Sequence, residues 1–247
     1  MKIKIPTRST RGKFLLGTYL GKKDSKSLVI FLSGLSGDSK LSLFTKAARF
    51  FFKNGFSTLR INICANDKNV AQKSLKQSGI TFSTYAVEIE NVINYYSSKY
   101  NDFVIIGHSF GAIIAILFLN KYKKYSKKIN IVFWDPSLLP WSKKSLEKDF
   151  IYNSSQKIYR DKHSGVFINS QYYNQCVKIN NTAEIFGLLN KNACIITTSE
   201  GKKDAKKYFS RLKKKNSKLY TLVSTDHLFS DQKSQKILFQ KTLDYLT

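Results

Sequence analysis

Residues 103–119, Phe-Val-Ile-Ile-Gly-His-Ser-Phe-Gly-Ala-Ile-Ile-Ala-Ile-Leu-Phe-Leu, constrain the fold of this chain more than any other stretch. Phe103 to Ile106 is a short apolar run bounded by glycine, the pattern of a buried strand. Phe110 to Asn120 is apolar nearly all round, as expected of a helix buried behind a sheet. Between them, Gly107-His108-Ser109-Phe110-Gly111 must turn the chain sharply from strand to helix. Glycines at the flanks permit that turn and let the helix pack close to the strand. The turn lifts the Ser109 hydroxyl clear of the backbone, beside the positive end of the helix dipole. Ser109 is therefore a candidate nucleophile; the plainer alternative is a glycine-bounded helix start that Ser109 merely caps.

The same alternation extends along the chain. Lys13 to Tyr19 and Leu28 to Leu32 read as strands, followed by a Gly/Ser loop over Ser33 to Ser39. Leu43, Phe44, Ala47 and Phe51 share one helical face, which Asn54-Gly55 stops. Phe56 to Ile63 is a strand, and Tyr85, Ile89, Val92, Ile93 and Tyr96 fall at helical spacing. Further strands are expected at Ile129 to Trp134, Cys194 to Thr198 and Leu219 to Val223. A lysine-rich helix starts near Asp204, and a last helix runs from about Ser230 to Leu246. Continuous apolar strands alternating with helices imply a mostly parallel central sheet with helices on both faces. The rhythm breaks once, over roughly 55 residues between Asp135 and Asn192. A stretch of that length predicts a small lid or cap insertion, at about 136–191, in a single domain spanning 1–247. Ligand sites in such sheets lie beyond the carboxyl ends of the strands.

Composition narrows the setting. No apolar run reaches membrane-spanning length, and the start of the chain lacks the pattern of a secretory signal. Cys64, Cys176 and Cys194 are widely spaced and odd in number, giving neither a disulfide framework nor metal-ligand spacing. A reduced, cytoplasmic setting is expected, with no cofactor and no metal. The net charge of +26 stands out. It is carried by scattered lysines rather than one arginine-rich helix, so it reads first as compositional bias and specific nucleic-acid binding is not expected.

A serine nucleophile needs a general base, and the chain has three histidines. His108 adjoins Ser109, and adjacent side chains on a sharp turn diverge. His163 lies in the polar stretch Asp161-Lys-His-Ser-Gly165 of the lid region. His227, in Ser224-Thr-Asp-His-Leu-Phe229, follows the last strand at the sheet end where Ser109 belongs, and is the expected base. The orienting acid should fall between Ser and His in the chain. Asp204 is the first choice, because Gly201 can make a turn that returns a residue three positions later over the sheet edge. Its alternative role is to cap the following helix. Glu200 comes next and Asp135, in Trp134-Asp-Pro136, third; Asp226 adjoins His227 and is expected to point away from its ring. An oxyanion would need two backbone N–H donors, expected from Phe110 and from Leu35, with Gly34 turning the backbone inward.

With these elements in order, the chain resembles the α/β-hydrolase superfamily across nearly its whole length. Within it, the chain looks like the small lysophospholipase, cinnamoyl-esterase and acyl-thioesterase-like hydrolases. Gly107-His-Ser-Phe-Gly111 is similar to their elbow, Gly201-Lys-Lys-Asp204 to their acid turn, and Asp226-His-Leu-Phe229 to the stretch around their final histidine. Phe31-Leu-Ser-Gly-Leu-Ser-Gly37 is similar to their oxyanion loop, with Ser33 where His-Gly is usual. Asn62-Ile-Cys-Ala-Asn66 departs from their Asp and glycine-rich turn, in a loop that often shapes the acyl pocket.

The resemblance implies hydrolysis of a small-molecule ester or thioester through an acyl-enzyme on Ser109. An anionic group on the substrate, such as phosphate or coenzyme A, would suit the lysine excess. The alternative is a non-catalytic binding protein that keeps the scaffold, since fold does not fix function. Trp141, Phe150, Tyr152, Tyr159, Phe167, Tyr172 and Tyr173 in the lid suit an apolar acyl or aryl group, or simply the lid's own small core. The substrate and the oligomeric state are not legible.

Overall fold

The computed structural model describes residues 1–8, 14–34, 39–62, 81–136, 143–162, 167–179 and 181–247. An eight-stranded sheet organises them, in the order β1-β2-β4-β3-β5-β6-β10-β11. Its parallel part comprises β3 (Ser27–Leu32), β4 (Ser57–Ile61), β5 (Asp102–His108), β6 (Ile129–Trp134), β10 (Cys194–Thr198) and β11 (Lys218–Leu222). Two strands, β1 (Lys2–Pro6) and β2 (Phe14–Leu20), add an antiparallel edge beside β4.

The continuous apolar strands divide their side chains between two layers, as the two-residue strand period requires. Leu28, Ile30 and Leu32 of β3, Phe103 and Ile105 of β5, and Ile129, Ile131 and Phe133 of β6 face one layer. Val29 and Phe31, Val104 and Ile106, and Val132 and Trp134 face the other. The first layer holds α2 (Phe82–Tyr96), α3 (Phe110–Lys121), α6 (Thr182–Gly187) and α7 (Lys202–Arg211). The opposite layer holds α1 (Ser42–Lys53) and α8 (Gln232–Leu246), and Trp134 Nε1 donates to Thr242 Oγ1 of α8 at 2.9 Å. Helices on both faces of a mostly parallel sheet are therefore observed. So is the burial of α3 nearly all round, with Ile113 and Ile116 fully covered. Truncating either to alanine would cost about 2–5 kcal/mol in lost packing.

Between β6 and β10, α4 (Lys143–Asp149), a three-stranded antiparallel sheet and α5 (Ser170–Lys178) pack together. The strands are β7 (Phe150–Asn153), β8 (Ile158–Asp161) and β9 (Phe167–Asn169). Tyr159 and Tyr173 stack with ring centroids 3.6 Å apart, and Tyr152 and Phe150 join them. Phe150, Tyr159 and Tyr173 are continuous with the core of the helix layer, while Tyr152 stays exposed; Tyr172 packs against Phe82 of α2. Phe82 in turn meets Phe110, the first residue of α3. The backbone N–H of Phe82 also donates to Gln175 Oε1 of α5 at 2.8 Å, so the segment is fastened to the helix layer beside Ser109.

Candidate active site

The site is built at the carboxyl edge of the parallel strands. Ser109 joins β5 to α3 with φ 54° and ψ −125°, a conformation that L-residues adopt only under constraint. The constraint is packing on both sides. A Cβ on Gly111 would lie 2.2 Å from the Leu32 carbonyl oxygen, and one on Gly107 would lie 2.7 Å from the Ala112 nitrogen. Only glycine lets α3 sit this close to β3 and β5. The Ser109 N–H donates to the Trp134 carbonyl at 3.0 Å, so the turn extends the β5–β6 pairing by one bond.

That bond places the next residue of the neighbouring strand, Asp135, beside the turn. Asp135 has φ 39° and donates its N–H to the Ile196 carbonyl at 2.7 Å. Its side chain is buried, and both carboxylate oxygens are engaged. Oδ2 lies 2.6 Å from His227 Nδ1. Oδ1 accepts from the Thr197 hydroxyl at 2.6 Å and from the Thr198 N–H at 3.0 Å, with the Thr198 hydroxyl 3.3 Å from both oxygens. Burial pushes the carboxyl pKa up, but the hydrogen bonds from His227, Thr197 and Thr198 outweigh it and hold Asp135 below its ordinary value. Asp135 is thus an anion aimed at one ring nitrogen.

His227 rides on the loop between β11 and α8, bent by left-handed residues at Ser224 and Phe229. Its neighbour Asp226 closes the loop, accepting from the Ser230 N–H at 2.8 Å through its carboxylate, and so serves the turn. With Nδ1 committed to Asp135, His227 is left with Nε2 for chemistry. His108, buried behind the turn, places its Nε2 2.8 Å from the His227 carbonyl oxygen, and the two rings lie 4.8 Å apart. Burial, and then the charge of His227, lower the His108 pKa to about 4, so this ring is neutral at neutral pH.

The structure places the acid expected from sequence spacing away from His227 Nδ1, which faces Asp135 instead. Asp204 lies in the first turn of α7, and its carboxylate pairs with Lys207 Nζ at 3.3 Å on the same helix. The expected turn at Gly201 exists, but it serves a different carboxylate. A Cβ on Gly201 would lie 2.4 Å from Asp135 Oδ1 and 2.5 Å from Thr197 Oγ1, so glycine there makes room for Asp135. Glu200 is exposed on the same turn. The partner of His227 is therefore Asp135, the third of the three candidates. Thr197 and Thr198 give no functional signal in sequence. As strand residues they are marked only by adjacency to the β6 end, which the strand order alone reveals.

The donors for an oxyanion are partly in view. Phe110 begins α3, with its N–H at the helix N-terminus. Gly34 runs directly against Ser109: a Cβ there would lie 2.9 Å from Ser109 Cβ and 3.1 Å from Ser109 Oγ. Leu35, the other expected donor, lies outside the described residues, as do His163, Trp141, Cys64 and residues 63–66 of the departing loop. Among the described residues no cluster of His, Cys, Asp and Glu could hold a metal ion, and no helix is long and apolar enough to cross a membrane.

This arrangement and the sheet around it define an α/β-hydrolase fold. Solved structures agree over nearly the whole chain. The ferulic acid complex of Est1E from Butyrivibrio proteoclasticus superposes with a TM-score of 0.74 at 15% identity, covering 99% of this chain and 97% of that one. Dienelactone hydrolase from Anabaena variabilis gives 0.68 at 9% identity, with 99% and 96% covered. The α/β-hydrolase GrgF from Penicillium sp. sh18 gives 0.70 at 13% identity, with 100% and 97% covered. No family model matches the sequence, and no curated protein is significantly similar to it.

Proposed function

We propose that this chain is a serine hydrolase that cleaves a carboxylic ester or thioester through an acyl-enzyme on Ser109. The observation that carries the reading is the 2.6 Å contact between buried Asp135 and His227 Nδ1, set beside a strained serine turn. That contact fixes the proton on Nδ1 and leaves the Nε2 lone pair for a hydroxyl. The fold neighbours, named as esterases and hydrolases, support the same class.

In this mechanism His227 Nε2 takes the Ser109 proton as Oγ bonds to the acyl carbon. The carbonyl oxygen becomes an oxyanion, held by the Phe110 N–H and by the Leu35 N–H that follows Gly34. Asp135 stabilises the imidazolium. The tetrahedral species collapses as the C–O or C–S bond breaks, and His227 gives its proton to the leaving alkoxide or thiolate. A water then attacks the acyl-enzyme, passing its proton to His227, which returns it to Ser109 Oγ as the acyl–oxygen bond breaks and the acid product leaves. The segment between β6 and β10 is read as a lid over the acyl side, anchored to the helix layer where Tyr172 packs against Phe82. A substrate with an anionic group fits the lysine excess; salt-dependent KM for acyl-coenzyme A but not for neutral thioesters would show it, and equal salt response would remove it.

A fluorophosphonate probe tests the reading. One adduct per chain, mapped to Ser109 and absent in Ser109→Ala, is expected by intact mass. A folded protein that takes up no probe and turns over neither nitrophenyl esters nor acyl thioesters would instead favour a binding protein on the same scaffold.

A further inference from the structure

We infer that His108 is a positioning residue for the base: its Nε2–H holds the main-chain carbonyl of His227 and so keeps the His227 ring between Asp135 and Ser109. This rests on the reading of Ser109, His227 and Asp135 as one hydrolytic set. A carbonyl oxygen can only accept, so the 2.8 Å contact requires the proton to sit on His108 Nε2. In the neutral ring Nδ1 is then bare. It is buried, and no described residue gives it a hydrogen bond.

A side chain that only filled this space would be better apolar, because Phe44 and Phe229 flank the ring and a bare buried nitrogen has lost its hydration. The polar group persists where one of its two nitrogens has a task. That task ties the end of β5 to the loop that carries His227. His108 ends β5 and pairs in register with Trp134 in the sheet. The side chain of His227, by contrast, is 43% exposed on a loop. Asp135 fixes the ring at Nδ1, and His108 fixes the backbone from which the ring hangs. Two points of attachment define a direction where one allows a swing. The titratable groups facing His108 are His227 and Asp135 themselves; its lowered pKa keeps the ring neutral at neutral pH, and the contact with the carbonyl then places the single proton on Nε2.

The test compares three substitutions. In His108→Gln the amide nitrogen can take the place of Nε2, whereas in His108→Asn it stops short and in His108→Leu it is missing. His108→Asn and His108→Leu are expected to lose on the order of 10- to 100-fold in kcat with KM unchanged, since small misplacements of a base carry penalties of that size. His108→Gln should recover most of the loss. Equal kcat in all three, or a Gln variant as impaired as Leu, would overturn the tether. Should the variants fail to fold, imidazole 15N spectra of the wild type decide. They should show a protonated Nε2 and bare Nδ1 on His108 between about pH 6 and 8; the opposite tautomer or an imidazolium refutes it. A wild type that neither hydrolyses esters nor takes up fluorophosphonate ends the hydrolytic reading itself, and this inference with it. An active wild type with an equally active His108→Asn ends only the tether.

Discussion

Two turns at the carboxyl edge of the sheet each carry a carboxylate within the order Ser, acid, His. The turn after β6 holds Asp135, buried, with both oxygens engaged by Thr197, Thr198 and His227. The turn after β10 holds Asp204, on a helix surface with Lys207 for company. Spacing alone favours Asp204, because Gly201 stands three residues before it. In space that glycine belongs to the turn after β6, since its missing side chain is the room Asp135 occupies. A carboxylate is matched to its base by what surrounds its oxygens, and a spacing motif can be kept for a neighbour's sake.

The contrast can be broken most severely by exchanging charge for amide in each turn. Asp135→Asn should lower kcat on the order of 10³- to 10⁴-fold by presenting the wrong hydrogen-bond partner to Nδ1. Asp204→Asn should leave kcat unchanged, since an exposed ion pair contributes about 0–1 kcal/mol. The reverse ranking in steady-state ester hydrolysis would restore Asp204. A smaller effect is expected from Gly201→Ala, whose methyl must displace the Asp135 carboxylate; kcat should fall on the order of 10²-fold. Full activity there would show that Asp135 does not depend on this gap. Thr197→Val removes one donor to a buried anion and should destabilise the fold by about 1.5–3 kcal/mol, read by denaturant unfolding.

The smallest effects concern pH. The folded pKa of His108 is lowered from 6.5 to about 4, so the unfolded chain binds a proton there that the native state refuses. Its contribution is present above pH 6.5 and is lost as pH falls toward 4. The Asp135 pKa is lowered from 3.8, so its contribution is present above that value and is lost as pH falls through the folded value. Unfolding free energies across these two windows should lose the upper slope in His108→Gln and the lower one in Asp135→Asn. Unchanged slopes would contradict the burial of His108 and the hydrogen bonds that hold the Asp135 carboxylate.

The parts of the molecule that are legible in sequence are those where one local pattern has one physical solution. The run from Phe103 to Leu119 could only be buried strand, sharp turn and buried helix, and it is. Lys2–Pro6 is a strand that the sequence pattern does not announce, although Ile3 and Ile5 alternate with lysines in the manner of a half-exposed edge strand. Such short polar strands gain their identity from the neighbour they pair with. The same holds for β7 to β9, three to four residues each. Asp135, Thr197 and Thr198 are opaque for a related reason. Their meeting depends on β6 lying beside β10, roughly 60 residues away in the chain, a neighbour relation that no local pattern encodes.

The proton on His227 Nδ1 gives the most direct test. In 15N-labelled protein it should appear as a far-downfield, slowly exchanging resonance coupled to His227 Nδ1. The resonance should vanish in Asp135→Asn and persist unchanged in Asp204→Asn. A resonance that survives loss of the Asp135 charge, or disappears with that of Asp204, would contradict the assignment of Asp135 as the partner of the base.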